Sequence, residues 1–159
     1  MPSDLHGRTF SEAEWRANID ATLRELKREY LPRPHAGLDK PEAAQGNRIT
    51  VGCAGPYFAL ERWRLAGPHR DASHPSRCLT LSNVDGPVRI VWSGGEESLG
   101  PAESVLLPAA IGDVDIIPGG DSADLIACYT PDLANDIVAP LRAAGHSDDR
   151  IAALGEVPV

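Results

Sequence analysis

No apolar run in this chain approaches the roughly 20 residues needed to cross a bilayer, so no membrane-spanning helix is expected. The first ten residues carry His6 and Arg8 but no apolar stretch of the kind a secretory leader requires, which points to the cytoplasm. Cysteine is scarce too. Cys53, Cys78 and Cys128 are odd in number and far apart, with no C-x-x-C pair to suggest a zinc knuckle or a redox couple. All three lie in apolar, strand-like surroundings and read as buried, reduced packing residues. Positive charge is in deficit, with 15 Lys and Arg against 23 Asp and Glu and a net charge of -8. That balance leaves no electrostatic footprint for a polyphosphate backbone, so nucleic acid is not an expected partner. There is no internal repeat and no low-complexity segment.

What is present is enough chain, 159 residues, for one domain with its own core. The spacing of Trp15, Ile19, Leu23, Leu26 and Tyr30 predicts one long amphipathic helix over Ser11 to Tyr30, opened by a Ser11/Glu14 capping box and stopped by Pro32 and Pro34. The proline-bearing stretch 31–47 reads as a surface connector. Short β-rich runs closed by Gly, Pro or Asp-Gly follow, over Arg48 to Cys53, Tyr57 to Leu65, Cys78 to Val84, Val88 to Trp92, Glu97 to Leu99, Glu103 to Leu107, Gly112 to Ile117 and Asp124 to Tyr129. Asp85-Gly86-Pro87 reads as the turn of a hairpin, and Ala66 to Arg77 as a polar loop. In the second run, alternation sets Glu61 beside Ala59, Trp63 and Leu65 on one face, with Leu60, Arg62 and Arg64 on the other. From Thr130 the period becomes helical. Leu133, Ile137, Leu141 and Ala144 share a side, Pro140 implies a kink, Gly145 a stop, and Ser147 caps a last short helix ending at Gly155. The expected organisation is therefore an N-terminal helix and connector (1–47), a β domain (48–130) and a helical extension packed on that same domain (131–159).

About eight short strands at regular intervals suit a mainly β cupin, or jelly-roll sandwich, with an N-terminal amphipathic helix and short C-terminal helices. More narrowly, Cys-Ala-Gly-Pro-Tyr-Phe-Ala-Leu-Glu-Arg-Trp-Arg-Leu (Cys53 to Leu65), Glu-Ser-Val-Leu-Leu-Pro-Ala (Glu103 to Ala109) and the connector Arg33-Pro34-His35 resemble the C-terminal cupin domain of type I mannose-6-phosphate isomerases. The resemblance covers roughly Pro32 to Leu141. It implies a domain that is itself metal-free, since in that family the zinc and the catalytic groups belong to a separate upstream cupin half, which this sequence lacks.

The same resemblance tells where a metal-bearing cupin would place its ligands, which are a His-x-His pair, a carboxylate and a later histidine. Anchored on Gly86 and Pro108, those positions fall on Ala72, His74, Leu79 and Asp113. A single imidazole is left, so no bound metal is expected in this domain. Two readings of function remain. In the first the chain is a non-catalytic module that binds a catalytic cupin partner chain, a second copy of itself, or a sugar phosphate. Arg62, Arg64, His74, Arg77 and Arg89, with His69 and Arg70 nearby, are the candidate ligand-binding residues, as cationic donors for a phosphate. In the second the chain is an active aldose-ketose isomerase, with Glu61 and His74 as base and acid and Arg62 as the cation beside the developing oxyanion.

Overall fold

The structure is a computed structural model that describes every residue except 1, 5, 27–34, 42, 44–45, 73–76 and 156. The chain divides into two compact units, Met1–Pro34 and His35–Val159. In the first, helix α1 spans Glu12–Glu25 and ends at its C-cap Leu26; the predicted last turn lies outside the described residues. Its start is the reciprocal cap expected from the sequence, with Ser11 N–H donating to Glu14 Oε2 at 2.8 Å and Glu14 N–H to the Ser11 hydroxyl at 3.3 Å. The Ser11 backbone N–H first, and Arg8 second, favour the ionised Glu14 and hold its carboxyl at about 2, well below the ordinary range. The Trp15, Ile19, Leu23 and Leu26 stripe is exposed, and no residue of the helix is buried.

The second unit holds ten strands among the described residues: β1 (Leu38–Asp39), β2 (Arg48–Ala54), β3 (Ala59–Leu65), β4 (His69–Asp71), β5 (Leu79–Asp85), β6 (Val88–Trp92), β7 (Gly95–Leu99), β8 (Ser104–Leu107), β9 (Val114–Pro118) and β10 (Ala123–Tyr129). They form two antiparallel sheets, one ordered β1-β2-β3-β10-β5-β8 and the other β4-β9-β6-β7. From β3 onward the chain changes sheet at every connection except the β6–β7 hairpin. Two segments expected as connectors therefore carry strands. Leu38–Asp39 in the 31–47 stretch pairs with β2, and His69–Asp71 in the supposed polar loop pairs with β9.

The Asp85-Gly86-Pro87 hairpin does not form, because β5 and β6 belong to different sheets. The reversal is instead a corner between the layers. Asn83, 3% exposed, locks it by donating from Nδ2 to the carbonyls of Gly86 (2.6 Å) and Leu99 (2.9 Å). Period-two alternation turns Ala59, Glu61, Trp63 and Leu65 of β3 inward to meet Leu79 and Leu81, Ile90, Ile116, and Leu125 and Tyr129 in one core. None of the three cysteines is a fully buried packing residue, since Cys53 and Cys128 are half-buried and Cys78 is exposed; all three thiols are free.

The tail adds to the same core. A π-helical turn over Leu133–Val138 runs into α2 (Ala139–Ala143), with α3 (Asp148–Ala152) beyond. Pro140, which has no N–H to donate, stands in the first turn of α2, just past the change from π to α geometry. Gly145, at φ 85°, terminates α2, with His146 N–H donating to Leu141 C=O at 3.1 Å. Ser147 holds the N-cap position of α3, but its hydroxyl makes no capping bond. Ile137, Val138, Leu141, Ile151, Leu154 and Val157 are buried in the same core as the strand residues. Among the described residues no helix is long and apolar enough to cross a membrane.

Candidate functional site

The alternation that sends Trp63 and Leu65 into the core sends Glu61 there as well, and its side chain is 1% exposed. An isolated carboxylate in such a place costs several kcal/mol, so its partners decide whether the site is tolerable. Three donors converge on it. Lys40 Nζ lies 2.7 Å from Oε1, the Tyr129 hydroxyl donates to the same oxygen at 2.7 Å, and the Trp63 indole N–H donates to Oε2 at 2.6 Å. Each is placed by the sheet. Lys40 follows β1, whose pairing to β2 is extended by Lys40 N–H donating to Ile49 C=O at 2.9 Å; Tyr129 closes β10, in register with Ala59 on β3. Trp63 stands two residues on from Glu61, on the same face. Burial first, and the adjacent Glu61 carboxylate second, push the Tyr129 phenol far above its ordinary value.

The network continues beyond Tyr129. The Arg77 guanidinium sits 4.8 Å from the Tyr129 ring centroid and grips Asp71, with Nη2 at 2.6 and 2.7 Å from the two carboxylate oxygens. The Arg77 and Asp71 side chains are only 14% and 17% exposed, and burial opposes the Arg77 charge while Asp71 more than restores it. On the other side His69 meets the Trp63 ring edge-on at 4.8 Å, and burial lowers its pKa from the ordinary 6.5. A cavity beside Asp71 and Arg77, lined also by Leu79, Leu107 and Gly112, amounts to about 10 Å³, room for about one water. Glu61 is thus a buried carboxylate engaged by three donors at once.

The structure separates most of the residues singled out from the sequence. Glu61 points inward while its neighbour Arg62 points outward, forking onto Asp124 with Nε 2.8 Å from Oδ1, so base and cation stand on opposite faces of one sheet. His74 lies outside the described residues. Arg64 is exposed on the outer face with Arg62, Arg89 pairs with Glu96 at 2.9 Å on the outer face of the second sheet, and Arg77 is drawn inward. Those four arginines therefore do not gather at one end. Sequence reasoning missed Lys40, Tyr129 and the Asp71–Arg77 pair. The one local signal was a glutamate at an inward position, which demands buried donors; Trp63 at the next inward position was readable as one of them.

The metal positions of a cupin are a test of fit. Leu79 stands where the carboxylate belongs and is a 3% exposed core residue, Ala72 offers no donor, and Asp113 is exposed and accepts from Arg70 at 2.8 Å. Among the described residues no group of three or more His, Cys, Asp or Glu is arranged to hold an ion. Ala72, Leu79 and Asp113 do not fit a cupin metal centre.

Two sheets of four and six antiparallel strands, joined by connections that cross between them, settle the architecture. The fold is a cupin jelly roll. No known family model matches the chain, and no curated protein matches it. Among solved structures, the chain is similar to the mannose 6-phosphate isomerase of Bacillus subtilis (TM-score 0.54, 19% identity), over 80% of the chain and 37% of the enzyme. It therefore spans little more than a third of that protein's length. It is also similar to PAC13 of Streptomyces, solved with uridine (TM-score 0.53, 13% identity, 64% of this chain and 83% of that one). A third is a cupin-superfamily sugar phosphate isomerase of Silicibacter pomeroyi (TM-score 0.50, 14% identity, 63% and 76%). Identities this low establish a shared cupin fold and nothing finer.

Proposed function

We propose that the chain is a cupin module of the mannose-6-phosphate-isomerase type that does not isomerise sugar phosphates by itself and works beside a separate catalytic cupin half. The observation that carries this reading is the state of Glu61. Moving a proton between adjacent carbons needs a base within hydrogen-bond reach of the substrate, and the one inward-facing carboxylate of β3 is saturated by Lys40, Trp63 and Tyr129 and closed off from solvent. The cation expected to assist it, Arg62, lies on the outer face of the sheet. The likeness to part of a longer mannose 6-phosphate isomerase suits a module of a larger assembly.

The test is a coupled assay converting mannose 6-phosphate to fructose 6-phosphate with the purified chain, with and without added zinc. No turnover above buffer is expected in either condition. Turnover that disappears in a folded Glu61→Gln variant would replace this reading with that of an active isomerase.

A further inference from the structure

Strand β7 ends one sheet and β8 ends the other, and between these two edges a cleft of about 450 Å³ opens on the side of the sandwich. That volume lies within the range of small-molecule sites. Its walls are Ile90 and Trp92 from β6, Val105 and Leu107 from β8, and Ile111 beyond Pro108. Against this hydrocarbon and aromatic lining stands one charged side chain, Glu97. In the β6–β7 register it lies directly opposite Ile90, on the inward side, whereas its neighbour Glu96 turns outward to Arg89. Among the described residues Glu97 accepts a bond from the Ser98 backbone N–H at 3.2 Å and pairs with no lysine or arginine. Gly95 stands opposite Trp92 across the ladder, and a Cβ there would come within 3.4 Å of the indole.

We propose that this cleft binds a small organic cation, a primary ammonium group carried on an aromatic or alkyl body. The body replaces water against Ile90, Val105, Leu107 and Ile111. The ammonium meets the Glu97 carboxylate at the rim, beside a low-dielectric wall that strengthens their attraction, and the Trp92 ring adds a cation–π contact. A neutral ligand of the same shape forgoes both, and an anion is repelled. Neither Glu61 nor any of its three donors lines the cleft, so the proposal stands whether or not the chain is catalytic.

The experiment is a titration of the full chain, followed by amide chemical shifts, with three probes of one shape: 2-phenylethylamine, 2-phenylethanol and 3-phenylpropionate. Expected is saturable one-to-one binding of the amine, with shifts centred on residues 90–92 and 105–111. The alcohol should bind about tenfold more weakly and the acid not at all. Glu97→Gln, a near-isosteric change on an exposed edge strand, should lower the amine's affinity several-fold toward that of the alcohol, leaving only the Trp92 contribution between them. The proposal is overturned by failure of the amine to saturate, by equal binding of amine and alcohol, or by unchanged amine binding in Glu97→Gln. In any of those cases the inward glutamate serves only to keep the β7 edge from pairing with another chain.

Discussion

At Glu61 the decisive quantity is the desolvation of two opposite charges. Lys40 is 18% exposed and Glu61 1%, so removing one partner leaves the other charged and poorly solvated, which costs about 3–5 kcal/mol for a buried pair. Glu61→Gln should therefore lower the stability measured by urea unfolding by about that amount. Adding Lys40→Met should return part of the loss, because no unpaired ammonium then remains, and strictly additive losses would show that the two groups do not act as a pair. Tyr129 makes a separate prediction at alkaline pH. Its folded-state pKa lies above the ordinary 10.0, so the folded form holds its proton more tightly than the unfolded chain does. The contribution is complete below pH 10 and is lost as pH rises beyond it, at up to about 1.4 kcal/mol per pH unit. Tyr129→Phe should flatten that alkaline decline, and parallel curves for the two proteins between pH 10 and 11.5 would refute it. Part of this site was legible from residues alone. Alternation placed Glu61 with Trp63 and Leu65, because a strand's period is local. Tyr129, 68 residues away, and Lys40, across a two-residue strand in a stretch rich in Pro and Gly, were beyond reach, since nothing local states which distant side chain will answer a buried charge.

For whole elements, the same contrast separates the helix start from the sheet corners. The Ser11/Glu14 box is complete within four residues and was readable as it stands. Asp85-Gly86-Pro87 is local too, but its chemistry dictates only that the chain reverses; which sheet receives β6 depends on Asn83 gripping Gly86 and Leu99 at once. A hairpin and a corner carry the same signature. Gly86 tests the corner directly. Its φ is +79°, and an added Cβ would stand 2.6 Å from the Ser122 carbonyl oxygen, a backbone atom that cannot swing aside. Gly86→Ala combines a left-handed backbone penalty of about 1 kcal/mol with that collision, so a loss of roughly 2 kcal/mol or more is expected in chemical denaturation. Gly120→Ala, in the neighbouring turn with open space around it and no positive φ, is the matched control and should change stability by less than about 0.5 kcal/mol.

On the scale of the whole molecule, the question is whether the C-terminal helices are an appendage or part of what holds the sandwich. Ile137, Leu141 and Ile151 are each 0% exposed and belong to the same core as Val51, Leu125 and Tyr129. Deleting one such aliphatic side chain costs about 2–5 kcal/mol, and three of them together rival the entire stability of an ordinary domain, about 5–15 kcal/mol. Cutting the chain after Pro131 should therefore abolish cooperative folding rather than trim it. Residues 35–159 kept whole should unfold in one transition that coincides by fluorescence and circular dichroism, because both sheets and the tail share one core. A truncated 35–131 chain that retained a sharp urea transition at the same midpoint would mean that the sandwich closes on its own side chains and that the tail only lies against it. Ile137→Ala in the intact chain separates the cases without truncation. A loss near the upper end of that range marks a helix buried in a core that cannot collapse around the gap, and a loss below about 1 kcal/mol marks a covering that moves in to fill it.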